Sequence, residues 1–425
     1  EMKSIIIGKR MNLFKSESDR YTEEHLSARE AQRLAEYIAW GPVIFQVSRL
    51  MVKFGILEAL RDSLDGLTLK EIQQKILLRN TSAEDQQDAS SNLPLSEYAL
   101  KILLEASLSA GTVLIDKTTD KYSLSKTGWF LLNDPATRVN IDFNHNVNYR
   151  GMFYLEEALK EGKPAGLKTL GNWPTIYEGL SQLDKQVQDS WFGFDHFYSD
   201  HSFDEALKII FGKKDLSEPV SSSDSAPVDK PLRLMDVGGN TGRFALRCVD
   251  YDKNVNVTIV DLPGQIGMMQ KNIEGKEGAE RISGFATNIL DERNRLPKVS
   301  EVQASAISSP LSYKESWDAI WMSQFLDCFS EEEIYSILSR AAQVMTSATT
   351  LYIMETFWDR QKYEPASLCL TMTSVYFTVM ANGNSKMYHS DDLIKQVNRA
   401  GLKVVKIHDG IGQGHTILEV RKKSE

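Results

Sequence analysis

The stretch Leu234-Met-Asp-Val-Gly-Gly-Asn-Thr-Gly242, followed further on by Val257-Thr-Ile-Val-Asp-Leu-Pro263, decides the fold of this 425-residue chain. In each stretch a short apolar run ends at an acid, Asp236 in the first and Asp261 in the second. A glycine-rich turn and a helix-compatible segment, 243–248, follow the first run. Strand, tight turn, helix, strand and acid make up half of a Rossmann-like domain. The pattern predicts an α/β fold whose turn approaches a ligand closely.

The spacing of the glycines separates two classes of cofactor. A dinucleotide-binding turn has the form G-x-G-x-x-G, whereas here Arg243 stands at the last glycine position of that pattern. Asp236, two residues before Gly238, would repel a phosphate but suits an ammonium group. We therefore expect a nucleoside that carries an amino acid and no phosphate, and S-adenosylmethionine is such a ligand.

These residues resemble those of a known family: dimeric S-adenosylmethionine-dependent O-methyltransferases that contain a winged helix and act on small hydroxylated aromatic molecules. The family signature Asp-Val-Gly-Gly-Gly-Thr-Gly corresponds to residues 236–242, with Asn240 in the middle glycine position. Asn tolerates a left-handed backbone, so the turn can be kept. The family's Val-Asp-Leu-Pro is unchanged at 260–263. The resemblance runs from about residue 35 to the C-terminus and implies a class I methyltransferase domain behind a mostly helical winged-helix dimerisation domain.

Composition excludes some classes of function. The chain is 42% apolar and 25% charged, and its net charge of −9 argues against non-specific binding to nucleic acid or an anionic membrane. No apolar run approaches the roughly 20 residues of a membrane span, and the N-terminus lacks the layout of a signal peptide. Three widely spaced cysteines, Cys248, Cys328 and Cys369, predict reduced thiols in a cytoplasmic protein and no metal site.

The order of patterns predicts five segments. They are a flexible arm over 1–30, a winged-helix-like dimerisation domain over 31–135, a helical connector over 136–212 that contributes to the acceptor pocket, a linker over 213–231 and the cofactor-binding domain over 232–425. In the second segment we expect one long helix over Val43–Leu64, a helix opened by the capping box Thr68–Glu71, a polar loop over 79–92, a helix from Ser96 and a hairpin within 113–124.

The last segment predicts alternating strands and helices. Further strands are expected over Arg281–Asn288, Ala319–Ser323 and Thr350–Glu355. Helices are expected after the capping residues Ser330–Glu333, over Pro365–Met380 and from Ser390. A closing β-pair is expected over Leu402–Ile407 and His415–Val420. This order is the methyltransferase variant of the Rossmann fold, and its antiparallel final pair opposes a dehydrogenase.

Ligands of an open α/β sheet bind beyond the carboxyl ends of its strands. The predicted cofactor-binding residues follow such ends: Asp236, Gly238, Gly239, Asn240, Gly242, Asp261, Leu262, Asn288, Ile289 and Ser323. Asp261 is expected to hold the ribose hydroxyls. Asn288 falls where the family has an Asp that contacts adenine, and its alternative role is to cap a turn.

Deprotonation of a phenol calls for a general base. The family supplies a His in the motif Leu-His-Asp-Trp-Ser-Asp-Glu-Glu, whereas the matching stretch here, Leu326-Asp-Cys-Phe-Ser-Glu-Glu, has Asp327 in the His position. A carboxylate is a poor base for a phenol unless burial raises its pKa. The family brackets its His with two glutamates; Glu355 matches the first, and His389 lies near the second. We predict a catalytic group of Asp327, Glu355 and His389, in which Asp327 is the base or orients the acceptor. Two alternative mechanisms remain: His389 is the base, or the enzyme acts by positioning alone. The other interpretation of His389 is a surface histidine before a helix.

Residues 141–204 are rich in aromatic side chains, which usually form a helix core. In the family, helices at this place cover the acceptor pocket. The predicted substrate-binding residues are Phe153, Trp191, Phe194, His196, Tyr376 and Met380.

The leading prediction is a homodimeric methyltransferase that acts on a hydroxyl of a small aromatic or polyketide-like molecule. C-methylation ortho to a phenol in the same fold is the alternative. Two other classes are an NAD-dependent oxidoreductase, opposed by the glycine spacing, and a ligand-sensing winged-helix regulator. The predicted third helix carries a single basic residue, Lys101, so we expect no nucleic-acid partner.

Overall fold

The computed structural model describes residues 24–82, 95–212, 232–302 and 316–423. The chain divides after Asn146 into two compact units, each described by itself below. The predicted linker over 213–231 and most of the predicted arm, residues 1–23, lie outside the described residues.

The first unit is helical with one small hairpin. Its elements are α1 (Ala28–Ala39), α2 (Gly41–Lys53), α3 (Ile56–Arg61), α4 (Leu69–Ser82), α5 (Glu97–Ala110), β1 (Val113–Asp116), β2 (Lys121–Leu124), α6 (Lys126–Asn133) and α7 (Pro135–Phe143). Strands β1 and β2 are antiparallel. Apolar side chains from α2 to α5 form the core, among them Met51, Ile56, Leu57, Ile72, Leu100 and Leu104.

Local sequence explains where these helices begin and end. The Ser96 side chain caps α5, and Thr68 and Glu71 exchange backbone hydrogen bonds as a capping box, both as predicted. The predicted single helix Val43–Leu64 is wrong, because Gly55 adopts a left-handed conformation (φ 73°) and separates α2 from α3. The predicted loop from residue 79 is wrong for residues 79–82, which continue α4.

The second unit starts with helices and continues as an α/β domain. The helical part contains α8 (Leu155–Glu161), α9 (Ile176–Gly179), α10 (Lys185–Ser199) and α11 (Phe203–Phe211). The α/β part contains β3 (Leu232–Val237), α12 (Arg243–Tyr251), β4 (Val255–Asp261), α13 (Pro263–Ile273), β5 (Ile282–Ala286), α14 (Val299–Val302), β6 (Ala319–Ser323), α15 (Glu331–Val344), β7 (Thr350–Glu355), α16 (Glu364–Tyr376), α17 (Ser390–Arg399), β8 (Leu402–Ile411) and β9 (His415–Lys422).

The seven strands form one sheet in the order β5-β4-β3-β6-β7-β9-β8. Strands β3 to β7 are parallel, and β9 lies antiparallel between β7 and β8. From β3 the chain turns first to β4 and β5, then crosses to β6 on the other side. The strand order therefore reverses between β3 and β6, and a ligand crevice is expected outside their carboxyl ends.

Alternating apolar residues bury both faces of the sheet. In β3, Met235 joins the core on one face and its neighbour Leu234 joins the core on the other. On the second face, the rings of Phe244 and Trp321 stack with centroids 4.6 Å apart. Helices on both faces fix the strand ends and therefore the residues that follow them.

The predicted strands and the closing antiparallel pair are confirmed, with changes at the boundaries. Strand β8 extends to Ile411, beyond the predicted Ile407. The predicted helix Pro365–Met380 changes type: α16 ends at Tyr376 and a π-helical turn, Phe377–Ala381, follows. Among the described residues, no helix is long and apolar enough to cross a membrane.

Candidate functional site

The glycine turn after β3 depends on three left-handed residues. Gly238 has φ 80°, Gly242 has φ 79°, and Asn240 has φ 48°, as predicted for an Asn in a glycine position. A Cβ atom on Gly238 would lie 2.3 Å from a ring carbon of Phe325. A side chain at Gly238 would therefore collide with Phe325, in addition to straining the backbone.

Asp261, at the end of β4, holds this turn. Its Oδ2 accepts a hydrogen bond from the backbone N–H of Asn240 at 2.8 Å, and its Oδ1 accepts from Leu262 at 2.7 Å. Burial raises the pKa of Asp261, and these two hydrogen bonds oppose the increase. Each carboxylate oxygen keeps a second lone pair, which can accept from a ligand hydroxyl.

Asp236 lies beneath the turn. It is 3% exposed, and its Oδ2 has no hydrogen-bond partner within the described chain. Burial, and next the charge of Asp261, raise the pKa of Asp236 to about 8. A buried carboxyl oxygen without a donor is costly, and a ligand that brings an ammonium group would supply one.

The ends of β5 and β6 contribute polar groups beside the turn. The side chain of Asn288 accepts a hydrogen bond from the backbone N–H of Leu290 at 2.9 Å, so it caps a turn, the alternative predicted for it. The carbonyl of Ile289 accepts from Arg340. Ser323 ends β6 and is half-buried. The next residue, Gln324, has φ 45° and a buried Oε1 without a partner in the described chain.

The ends of β6 and β7 bring together Asp327 and Glu355. Asp327 stands in the short 3-10 turn Leu326–Cys328 that follows β6. Glu355 ends β7, and its Oε1 accepts hydrogen bonds from the backbone N–H groups of Phe325 at 3.1 Å and Leu326 at 2.9 Å. Glu355 therefore fixes the turn that carries Asp327.

Both carboxyl groups are buried and resist ionisation. Burial raises the pKa of Asp327 to about 7; the thiol of Cys328, 3.5 Å away, opposes this increase and Asp195 adds to it. Burial, and next Asp327, raise the pKa of Glu355 well above its usual value. A group that titrates near neutrality suits proton transfer better than an ordinary carboxylate.

Aromatic groups surround these acids. The indole N–H of Trp191 in α10 donates to the hydroxyl of Tyr376 at 2.8 Å. The pKa values of Tyr177 and Tyr376 are raised by burial first, and both also respond to Cys328 and Asp327. The charge of Asp327 thus acts on the two tyrosines Tyr177 and Tyr376.

The other predicted substrate residues differ in environment. Phe194 and His196 in α10 are half-buried, so they do not belong to a closed core. Phe153 is 88% exposed. Met380 is fully buried, with its sulfur packed against Gly151.

His389, the third predicted catalytic residue, lies at the start of α17. It is the N-cap residue of α17, and its Nδ1 accepts from the backbone N–H of Asp391 at 3.0 Å. Its Nε2 lies 3.7 Å from Asp359 Oδ2, and its ring contacts the edge of Trp358. These contacts describe a helix-capping histidine, the alternative predicted for it.

Sequence reasoning did not select Tyr177 or Asp195. Asp195 was detectable as an acid between Phe194 and His196 in the aromatic helix. Nothing in the sequence distinguishes Tyr177 from other tyrosines, because its closeness to Cys328 arises only from the tertiary fold.

Comparisons with known proteins match both parts of the chain. Residues 32–90 and 77–122 match the model of the Dimerisation2-like domain family. Norreticuline-7-O-methyltransferase of Papaver somniferum is 22% identical over 287 residues, 66% of this chain and 66% of that protein. Bacteriochlorophyllide d C-20 methyltransferase of Chlorobaculum tepidum is 25% identical over 136 residues, 32% of this chain and 34% of that protein. The chain thus spans less than two thirds of either relative.

The fold is also that of solved methyltransferases. The apo structure of the S-adenosylmethionine-dependent methyltransferase SibL superposes with a TM-score of 0.60 at 18% identity, over 91% of this chain and 98% of that one. This match agrees with the strand order, and the N-terminal match agrees with the predicted dimerisation domain. The chain therefore has the fold of the class I methyltransferases, and its N-terminal part matches a Dimerisation2-like domain.

Proposed function

We propose that this chain is an S-adenosylmethionine-dependent methyltransferase that methylates a hydroxyl group on a small aromatic molecule. One observation carries the proposal: a glycine turn over Asp236, whose buried Oδ2 has no partner among the described residues, shares a sheet edge with the buried pair Asp327 and Glu355. The turn with Asp236 suits a cationic nucleoside ligand, and the pair Asp327 and Glu355 suits removal of a proton.

The residues of the turn fit this cofactor. Asp236 would accept from the ammonium group, Asp261 from the ribose hydroxyls, and Gly238 lets the backbone approach the ligand. The remaining cofactor residues in the proposal are Gly239, Asn240, Gly242, Leu262, Asn288, Ile289 and Ser323. When bound, S-adenosylmethionine supplies an electrophilic methyl group on sulfur.

In this proposal Asp327 accepts the proton of the acceptor hydroxyl, and Glu355 holds the turn of Asp327 in place. Burial supports this role for Asp327, because it brings the pKa of the group to about 7. Trp191 and Tyr376 offer flat surfaces beside the acid pair for an aromatic ring. His389 is not needed, since its ring caps α17.

C-methylation ortho to a phenol is the second candidate. Two observations favour it: a carboxyl group, Asp327, stands in the position of the usual histidine, and one relative is named for methylation at carbon. The same proton acceptor would serve, because an ionised phenol is nucleophilic at both oxygen and the ortho carbon.

The decisive experiment incubates the protein with S-adenosylmethionine carrying a ¹³C-labelled methyl group and a panel of small phenols. We expect a labelled product, and its ¹³C shift separates a methoxy group from a methyl group on carbon. Labelled S-adenosylmethionine that stays bound but unconsumed across catechols, naphthols and hydroxybenzoates would contradict an aromatic acceptor.

We also infer that the chain is a homodimer in the cytoplasm. The dimerisation-domain match and the exposed apolar residues of α1 and α2, Leu34, Ile38 and Val43 with Trp40 between the helices, support the homodimer. None of the three cysteines, all of which are described, forms a disulfide, and this supports a reducing compartment.

A further inference from the structure

Two carboxyl groups of the proposed acceptor site are buried without a counter-ion. Asp327 is 6% exposed and Glu355 is 3% exposed. Within the part of the chain that the structure describes, no lysine, arginine or histidine forms an ion pair with either group. Burial of an ionised carboxylate costs several kcal/mol unless a cation or several donors compensate it. The site therefore favours a positive charge brought from outside.

Glu355 offers a fixed acceptor for such a charge. Its Oε1 is held by the backbone N–H groups of Phe325 and Leu326, so the carboxyl group cannot rotate away. Its Oε2 is buried and has no hydrogen-bond partner among the described residues. Buried polar atoms without partners are rare in proteins, and this one lies within the electrostatic field of Asp327. Because Glu355 is 3% exposed, this unpartnered oxygen indicates a missing donor.

The surroundings of the pair are acidic and aromatic. The titratable groups that act on Asp327, Glu355 and Tyr376 are Asp195, Cys328 and Asp327 itself, and none of them is a lysine, arginine or histidine. The indole of Trp191 is hydrogen-bonded to Tyr376 beside them. Carboxylates flanked by aromatic faces form a favourable site for an organic ammonium ion. A metal ion is a poorer occupant, because the described residues contain no group of three or more ligands that could hold one.

We propose that the acceptor carries a basic nitrogen, which binds as an ammonium group at Glu355 Oε2, while its hydroxyl lies at Asp327 and its aromatic ring lies beside Trp191 and Tyr376. This inference rests on the proposed function, because it names the substrate class of the same site. The ammonium group supplies the absent positive charge to the acid pair and donates to Glu355 Oε2. A neutral phenol of the same shape does neither, because its hydroxyl lies at Asp327.

Two matched pairs of probes test the inference. Dopamine and 4-propylcatechol, and likewise tyramine and 4-propylphenol, differ only by an ammonium group in place of a methyl group. We expect calorimetry at pH 8 to show that each amine binds the wild type at least about tenfold more tightly than its neutral partner, with and without S-adenosylhomocysteine. Asp327→Asn and Glu355→Gln should each reduce this preference below about threefold. The matched control is Glu332→Gln, which removes an exposed carboxylate paired with Arg399 and should keep the full preference.

Proton release is a second readout. An ammonium ion favours the ionised forms of two acids whose pKa values are raised, so amine binding should release protons and neutral binding should not. Calorimetric titrations in buffers with different ionisation enthalpies measure the number of protons released on binding. Glu355→Gln keeps an acceptor for the two backbone N–H groups, and retained S-adenosylhomocysteine affinity in each variant shows that it is folded.

Three outcomes would overturn the inference: neutral partners that bind as tightly as the amines, no binding by any of the four probes, or a preference that survives both substitutions. Its failure is distinct from failure of the proposed function. If the protein binds S-adenosylhomocysteine but does not prefer the amines over their neutral partners, only the inferred substrate class is wrong. A folded protein that binds no S-adenosylhomocysteine removes the proposed function.

Discussion

At the scale of single residues, Asp327 decides how the proposed chemistry works. Its position in the sequence motif was evident, because the flanking Leu326 and Ser330 match the family pattern. Its environment was not, because burial and the nearby Asp195 come from elements far apart in the chain. Sequence reasoning could state that the pKa would have to rise for Asp327 to act as a base; only the fold shows that burial raises it to about 7.

We predict that Asp327→Asn lowers turnover by about 10²–10⁴-fold while cofactor affinity is kept, because the amide has the same size but cannot accept the proton. Asp327→His should restore part of the rate, since an imidazole titrates near neutrality. Steady-state kinetics and calorimetry on the same variants separate the two effects. If the Asn variant is nearly as active as the wild type, Asp327 only orients the acceptor. If neither substitution at Asp327 changes turnover and His389→Ala inactivates the enzyme, the assignment of Asp327 as the base is wrong.

The same residue predicts a pH profile. Asp327 must be ionised to accept a proton, and its pKa is raised to about 7, so the rate should rise as pH increases through that value. In Asp327→Asn this acid limb should disappear from the residual rate. A wild-type rate that is flat between pH 5 and 8 would contradict a proton acceptor with this pKa.

At the scale of elements, the strand–turn–helix unit from β3 to α12 was predictable in detail. Apolar runs, the acids at their ends and the glycine spacing gave the strands and the left-handed turn, including Asn240. What sequence reasoning could not supply was the contact across the turn. The ring of Phe325, from the segment after β6, fills the space over Gly238, and that contact depends on the order of strands in the sheet.

We predict that Gly238→Ala abolishes measurable S-adenosylhomocysteine binding. The Cβ atom would lie 2.3 Å from the Phe325 ring at a backbone φ of 80°, so the turn must move. Gly264→Ala is the matched control, because its Cβ would have no atom within 4 Å, and it should bind like the wild type. Calorimetry compares the two, and equal affinities would show that the turn does not form the cofactor site.

At the scale of the whole molecule, sequence reasoning predicted an N-terminal dimerisation domain and a C-terminal class I methyltransferase fold, and both are confirmed. It could not give the break between α2 and α3, because the left-handed conformation of Gly55 depends on how these two helices pack in three dimensions. The proposed segment boundaries at 30, 135, 212 and 231 remain predictions. The helical part that precedes the α/β domain carries aromatic side chains that look alike in sequence, and only the fold separates exposed Phe153 from half-buried Phe194.

We predict that the protein is a homodimer at micromolar concentration and that Ile38→Glu shifts it to the monomer. Ile38 is 71% exposed in α1, a helix without buried residues, so a charge there should oppose burial against a second copy. Leu64→Glu is the control, because Leu64 is 97% exposed and lies outside α1 and α2. Light scattering measures the mass of each, and a monomeric wild type would refute the homodimer.

The most direct test of the central claim is calorimetric titration of the wild type and Asp261→Ala with S-adenosylhomocysteine and, separately, with NAD. We predict one S-adenosylhomocysteine site per chain, a loss of about 1–3 kcal/mol of binding free energy in Asp261→Ala, and no NAD binding. Asp261→Asn keeps one acceptor oxygen and should lose less. A folded wild type that binds NAD and not S-adenosylhomocysteine would contradict a methyltransferase, and unchanged affinity in Asp261→Ala would place the cofactor elsewhere.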